Sequence, residues 1–151
     1  MPQLSTTRRV RHAAAEMFDL VADVEHYPEF VPLCRSLSVR SRSRNGGKDV
    51  IVADMTVAYK FVRETFTSRV TLDKPNLKVR VEYIDGPFSR LENIWTFKDE
   101  PEGENSRVGF FIDYEFKSRT LGALMGSIFD VAFRKFASAF ERRADAIYGR
   151  A

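Results

Sequence analysis

Two hydrophobic periods divide this chain. Across residues 13–24, Met17, Leu20, Val21 and Val24 recur at the spacing of one helical face. From Leu37 to Lys117 the period falls to two. Ile51, Ala53, Met55, Val57, Tyr59 and Phe61 alternate with Val52, Asp54, Thr56, Ala58 and Lys60, which predicts a long strand with one buried face. The same alternation returns at Phe66, Ser68, Val70 and Leu72, at Leu77, Val79, Val81 and Tyr83, at Leu91, Asn93, Trp95 and Phe97, and from Val108 to Phe116. Turn chemistry separates these runs at Asn45-Gly46-Gly47, Asp73–Asn76, Asp85–Pro87 and Lys98–Ser106. The expectation is an antiparallel meander of about six strands, preceded by a short strand at Ser5–Arg11.

The chain then returns to the helical period. Thr120 to Tyr148 reads as one helix of roughly 28 residues, about 42 Å long. Leu121, Leu124, Met125, Ile128, Phe129, Ala132, Phe133, Phe136 and Phe140 form its apolar face, and Ser127, Asp130, Arg134, Ser138, Glu141 and Asp145 its polar stripe. That face needs a partner, and the one-sided sheet supplies it. The fold class is therefore α+β: one domain over residues 1–151, with a curved antiparallel sheet wrapped around a long C-terminal helix.

Composition narrows the chemistry. Hydrophobic residues make up 44% and charged residues 30%, as in a water-soluble globular domain, and no run approaches a membrane-spanning length. The first residues lack the apolar core of a secretory signal. A single cysteine, Cys34, excludes an internal disulfide and suits a reducing cytoplasm. His12, His26 and one cysteine do not make a structural zinc site, and no glycine-rich phosphate loop is present. A Cys34–His26 nucleophile pair would need an orienting group that the loop does not offer, so Cys34 reads as a small buried apolar residue.

Motifs carry the reading further. Asp23-Val-x-x-Tyr27-Pro28-x-Phe30-x-Pro32-x-Cys34 lies between the first helix and the meander. Phe66-Thr-Ser68-Arg-Val70, Leu91-x-Asn93-x-Trp95-x-Phe97 and Asp113-Tyr-Glu-Phe116 follow in order. In this order, over the whole chain, they resemble the START-like, helix-grip superfamily of polyketide-cyclase-like proteins, and within it the branch of coenzyme Q-binding proteins and ribosome-association toxins. One departure stands out: that branch often carries tryptophan before the cysteine, where this chain has Leu33.

The resemblance implies short helices after the first strand that close one side of a sheet–helix cleft. It implies a cavity for an isoprenoid lipid such as ubiquinone, bound as ligand with no cofactor required, in a carrier or chaperone that supports respiratory electron transport. The expected lining is Tyr27 and Phe30 from the proline-punctuated stretch, Met55, Val57, Tyr59, Phe66, Asn93, Trp95, Phe110 and Ile112 from inward strand positions, and Phe129 and Phe133 from the helix. Ordinary core packing is the plainer reading of the same side chains. Asn93 is the polar candidate for a quinone head group, with a bond to nearby backbone as its alternative.

The same resemblance implies a second function, binding the large ribosomal subunit and inhibiting subunit association. Arg40, Arg42 and Arg44 repeat at period two, so one strand face would carry three guanidinium groups, with Arg8, Arg9 and Arg11 as potential neighbours. Such a face suits ribosomal RNA phosphates or anionic lipid, or is merely solvated. Enzymes share the fold, but the inward positions here are nearly all apolar, so no catalytic residue is expected. The expected location is the cytoplasm with transient contact at the inner membrane.

Overall fold

The computed structural model describes residues 3–101 and 105–149. The chain runs β1 (Gln3–Val10), α1 (Ala14–Ala22), a 3-10 segment (Val24–Glu29), β2 (Cys34–Asn45), β3 (Lys48–Tyr59), β4 (Val62–Asp73), β5 (Lys78–Asp85), β6 (Phe88–Asp99), β7 (Ser106–Phe116), α2 (Arg119–Arg134) and α3 (Phe136–Tyr148). The described strands form one antiparallel sheet in the order β1-β7-β6-β5-β4-β3-β2. Only the pairing of β1 with β7 joins strands distant in sequence. This is the expected meander, with the first strand closing on the last.

Local chemistry explains most boundaries. Gly46 and Gly47, at φ 60° and 80°, make the two-residue turn between β2 and β3, where both central positions need positive φ. Gly86, at φ +144°, lies against Phe66, and an added Cβ would fall 2.5 Å from the Phe66 Cβ. The start of α1 is capped from a distance: the Asp99 carboxylate accepts the Ala14 N–H at 2.8 Å, placing negative charge at the helix N-terminus. Within the expected turn Lys98–Ser106, residues 102–104 lie outside the described residues.

Three expectations change. The C-terminal helix is two helices, interrupted at Lys135, whose backbone sits at φ −95°, ψ −4°. The Ser138 hydroxyl donates to the Lys135 carbonyl at 3.0 Å, the kind of back-bond that bends helices. The long strand stops at Tyr59, so Phe61 occupies the hairpin tip, fully exposed, instead of continuing the buried face. Leu124, expected on the apolar face, is 58% exposed, because α2 turns only Met125, Phe129, Ala132 and Phe133 fully inward.

The core lies between the concave sheet face and the helices. Inward strand positions match the alternation: Ile51, Ala53, Val57, Val70, Val79, Leu91, Trp95, Phe97, Val108, Phe110, Ile112 and Tyr114 are buried. The two C-terminal helices are held differently. α3 is tied to the rest by Arg8–Glu141 and Arg143–Glu29 ion pairs, by His12–Asp145 at 2.6 Å, and by the Tyr148 hydroxyl donating to the Glu16 carbonyl. Among the described residues α2 has no ion pair or side-chain hydrogen bond to the sheet; its Asp130–Arg134 pair is internal. Apolar packing and the Ser118 cap hold it.

Candidate functional site

Between α2, α3 and the concave sheet lies an apolar cavity of about 90 Å³. Strand parity builds three of its walls. Leu37 on β2, Ala53, Met55 and Val57 on β3, Phe66, Ser68 and Val70 on β4, Val81 on β5, Leu91, Asn93 and Trp95 on β6, and Ile112 on β7 all face it. Phe129, Ala132, Phe133, Phe136 and Phe140 cover it from the helices, while Val24, Tyr27, Pro32 and Leu33 close the side toward β2. Leu33 holds a left-handed backbone, φ 67°, and its carbonyl accepts the Ala58 N–H at 3.1 Å, fixing this loop to β3. A non-glycine residue in that region is uncommon and marks a place where the surroundings dictate the backbone.

Nine of the twelve residues expected to line a cavity do so: Tyr27, Met55, Val57, Phe66, Asn93, Trp95, Ile112, Phe129 and Phe133. Phe30 stands outside the wall, with its ring 4.9 Å from that of Phe140 and beneath the Arg143 guanidinium. Phe110 is pure core, buried against Trp95 and Phe136. Tyr59 sits near the hairpin tip, 37% exposed, under the Lys60 ammonium. Parity alone assigned Phe110 and Tyr59 to the lining; depth along the strand decides which inward residues meet open space.

The polar groups in the wall are few and unequal. The Tyr27 hydroxyl donates to the Val21 carbonyl, and burial pushes its pKa far up, so it stays a neutral phenol. The Asn93 side-chain amide donates to the Phe111 carbonyl at 2.8 Å and accepts the Trp95 indole N–H at 3.0 Å. Of the alternatives for Asn93, the backbone bond is the one the structure contains. Ser68 differs from both. It is 6% exposed, points into the cavity, and its hydroxyl has no hydrogen-bond partner among the described residues. The motif contained Ser68 and its inward parity was visible, but a serine among apolar neighbours gives no signal of being unpaired.

Other candidates resolve elsewhere. Cys34 is buried, and burial pushes its thiol up to about 11, so it is not a thiolate nucleophile. His26 is exposed and bonded to Asp23 at 2.7 Å; that bond, then the carboxylate's charge, raises its pKa. No cluster suited to a metal ion occurs among the described residues.

The arginine stripe is corrected by a bulge. The β2–β3 register shifts between Val39 and Ser41, so Arg40 falls out of step with Arg42 and Arg44. Arg40 bonds Asp54, whose neighbours Ala53 and Met55 face the cavity from the opposite side of the strand. Arg42 reaches Glu25 in the 3-10 segment, and Arg44 pairs with Asp49, each at 2.7 Å. The three guanidinium groups do not share one face, and each already has a carboxylate.

Comparison with known proteins agrees with this architecture. The family profile described as polyketide cyclase / dehydrase and lipid transport matches residues 10–141. The chain is 33% identical over 149 residues to the ribosome association toxin RatA of Vibrio cholerae, covering 99% of both chains. It is 32% identical over 151 residues to the mitochondrial coenzyme Q-binding protein COQ10 homolog B of Xenopus laevis, covering 98% of this chain and 60% of that one. The solution structure of the 18 kDa protein CC1736 from Caulobacter crescentus superposes with a TM-score of 0.78 at 35% identity, covering 99% of this chain and 100% of that one. With its seven-strand antiparallel sheet gripping C-terminal helices, the chain belongs to the polyketide cyclase / dehydrase and lipid transport family and is similar over nearly its whole length to RatA and COQ10 proteins.

Proposed function

We propose that this protein binds ubiquinone or a similar isoprenoid lipid in the sheet–helix cavity, without catalysing a reaction, and carries it to or from the respiratory membrane. One observation carries the reading. The cavity wall is apolar except for the bonded Tyr27 and Asn93 and the unpaired Ser68 hydroxyl. An apolar wall with one placed polar group suits a greasy tail with a hydrogen-bonding head. Neither bonded polar group is poised as an acid or base, which favours binding over the ring-forming chemistry of enzymes in the family.

At about 90 Å³ the cavity is smaller than the roughly 300–1,000 Å³ of typical ligand pockets. Uptake therefore requires a wall to move, and α2 is the wall held only by apolar packing and its cap. Burying a prenyl tail contributes roughly 25 cal/mol per Å² of apolar area, which works against the cost of displacing that helix.

The test uses Trp95, whose ring faces the cavity. Ubiquinone titrated into the purified chain should quench its emission saturably, and solvent extraction of freshly purified protein should release a prenyl lipid. Linear quenching equal to that of free tryptophan overturns the reading. A second reading, action on the large ribosomal subunit, is favoured by the full-length similarity to RatA. Co-sedimentation with large subunits that prevents subunit joining would support it.

A further inference from the structure

The β3–β4 hairpin ends in a feature the cavity does not use. Tyr59 pairs with Val62 across a two-residue turn, Lys60-Phe61. Lys60 stands at φ 53°, a conformation such turns usually give to glycine, and Phe61 is 100% exposed. Exposed aromatics are common one at a time, but a two-residue turn that holds a phenylalanine wholly in water gains nothing from folding. Its use lies in contact with something else.

Charge at the same end of the sheet says what. The antiparallel order brings the start of β2, the β3–β4 tip, the β5–β6 connection and the end of β7 to one end of the sheet, and the Lys117 N–H donates to the Pro87 carbonyl at 2.9 Å, tying two of these together. Arg35, Lys60, Arg63, Lys117 and Arg119 are exposed there, and none has an ion pair among the described residues. Asp85 and Glu64 are the carboxylates nearby in sequence, and Glu115 is taken by Arg90. Toward the other end, by contrast, Arg44 and Arg107 meet carboxylates. Tyr59 is also exposed at the tip, Lys60 and Arg63 stand beside Phe61 without a carboxylate partner among the described residues, and Ile84 is exposed farther back on β5.

We propose that this end of the sheet docks on an anionic lipid bilayer, with Phe61 seated among the acyl chains and the surrounding cations at the phosphate level. Aromatic rings with polar flanks favour that boundary, and basic residues beside it add attraction to anionic headgroups. No described helix is long and apolar enough to cross a membrane, so the contact is peripheral. Val57 and Phe66, which line the cavity, lie two residues behind Tyr59 and four behind Val62 on the same two strands, so docking turns this end of the cavity toward the bilayer. The choice of lipid over another partner rests on the lipid-binding reading above.

The test is flotation of the full chain with vesicles of phosphatidylcholine alone or mixed with phosphatidylglycerol. The wild-type chain should float with the anionic vesicles. Phe61→Ser should lower partitioning about tenfold or more, since a buried ring is lost. Lys60→Gln with Arg63→Gln should weaken binding to the anionic vesicles, most clearly at low salt. Phe61 packs against nothing, so its replacement should leave Trp95 emission and quinone quenching in detergent unchanged. Equal flotation of wild type and Phe61→Ser overturns the proposal, as does wild type that stays with neither vesicle. Loss of large-subunit binding in Phe61→Ser, with no vesicle binding, overturns it in favour of the ribosome. Flotation that depends on Phe61 while quinone fails to quench sinks the carrier reading and leaves the docking end standing.

Discussion

The indole N–H of Trp95 donates to the side-chain oxygen of Asn93, two residues away on the same face of β6, at 3.0 Å. The same amide donates to the Phe111 carbonyl on the neighbouring strand. Asn93 is thus a clamp that satisfies two buried groups. Asn93→Ala should leave an indole N–H and a carbonyl without partners and destabilise the fold by about 1–3 kcal/mol. Urea unfolding followed by Trp95 fluorescence measures this, and a loss below a few tenths of a kcal/mol would show the clamp to be dispensable.

Ser68 should behave oppositely. Its hydroxyl is buried without a partner, so Ser68→Ala removes an uncompensated desolvation cost and should leave stability equal or raised by up to about 1 kcal/mol. If the hydroxyl donates to a quinone carbonyl, the same variant should bind ubiquinone roughly three- to tenfold more weakly. A prenyl hydrocarbon with no carbonyl should bind both proteins alike. Equal quinone affinity in the two proteins would remove Ser68 from the ligand site.

Gly126 lies on α2, and a Cβ built there meets nothing within 4 Å. Close packing is therefore not why the position is glycine. Gly126→Ala should stiffen α2 by about 1 kcal/mol of helix propensity without a clash. Stopped-flow quenching should then show slower quinone uptake at unchanged or higher thermal stability. Unchanged exchange rates would mean that α2 is not the moving wall.

Two carboxylates with partners across the sheet contribute to stability against acid. The Arg90 hydrogen bond holds Asp113 below the ordinary carboxylate range, and the Thr67 hydroxyl, then Arg40, does so for Asp54. Groups whose pKa is depressed by folding contribute stability above their unfolded value, about 3.9, and lose it as pH falls through the folded value. Urea midpoints should be insensitive to these two groups from neutral pH down to about 4 and fall below it. Asp113→Asn should flatten part of that fall; an unchanged acid slope would show that the Arg90 pair is fully solvent-screened.

Much of this architecture was legible because period carries over directly to burial. Strand parity located the inward faces of β3 to β7, and the Asn45–Gly47 turn announced itself through residues that tolerate positive φ. What escaped were features with no composition of their own. Tyr59-Lys60-Phe61-Val62 continues the alternation and contains no glycine, so the hairpin tip was invisible. The bulge at Arg40 inserts one residue without altering the arginine spacing, and it divides a stripe that sequence places on one face. The break at Lys135 leaves the helical period intact on both sides. Whether a buried serine has a partner depends on what happens to face it across the fold, which no local pattern records.

The break at Lys135 also separates two tasks that a single rod would have to share. A continuous helix lifted from the sheet at one end would drag its other end along, and every opening would strain the ion pairs and the His12 contact that secure the terminus. With the rod divided, the anchored half can keep its protection from hydrogen exchange while the unanchored half opens and closes. Ligand size can then change through substitutions in one helix without drawing on the stability of the whole.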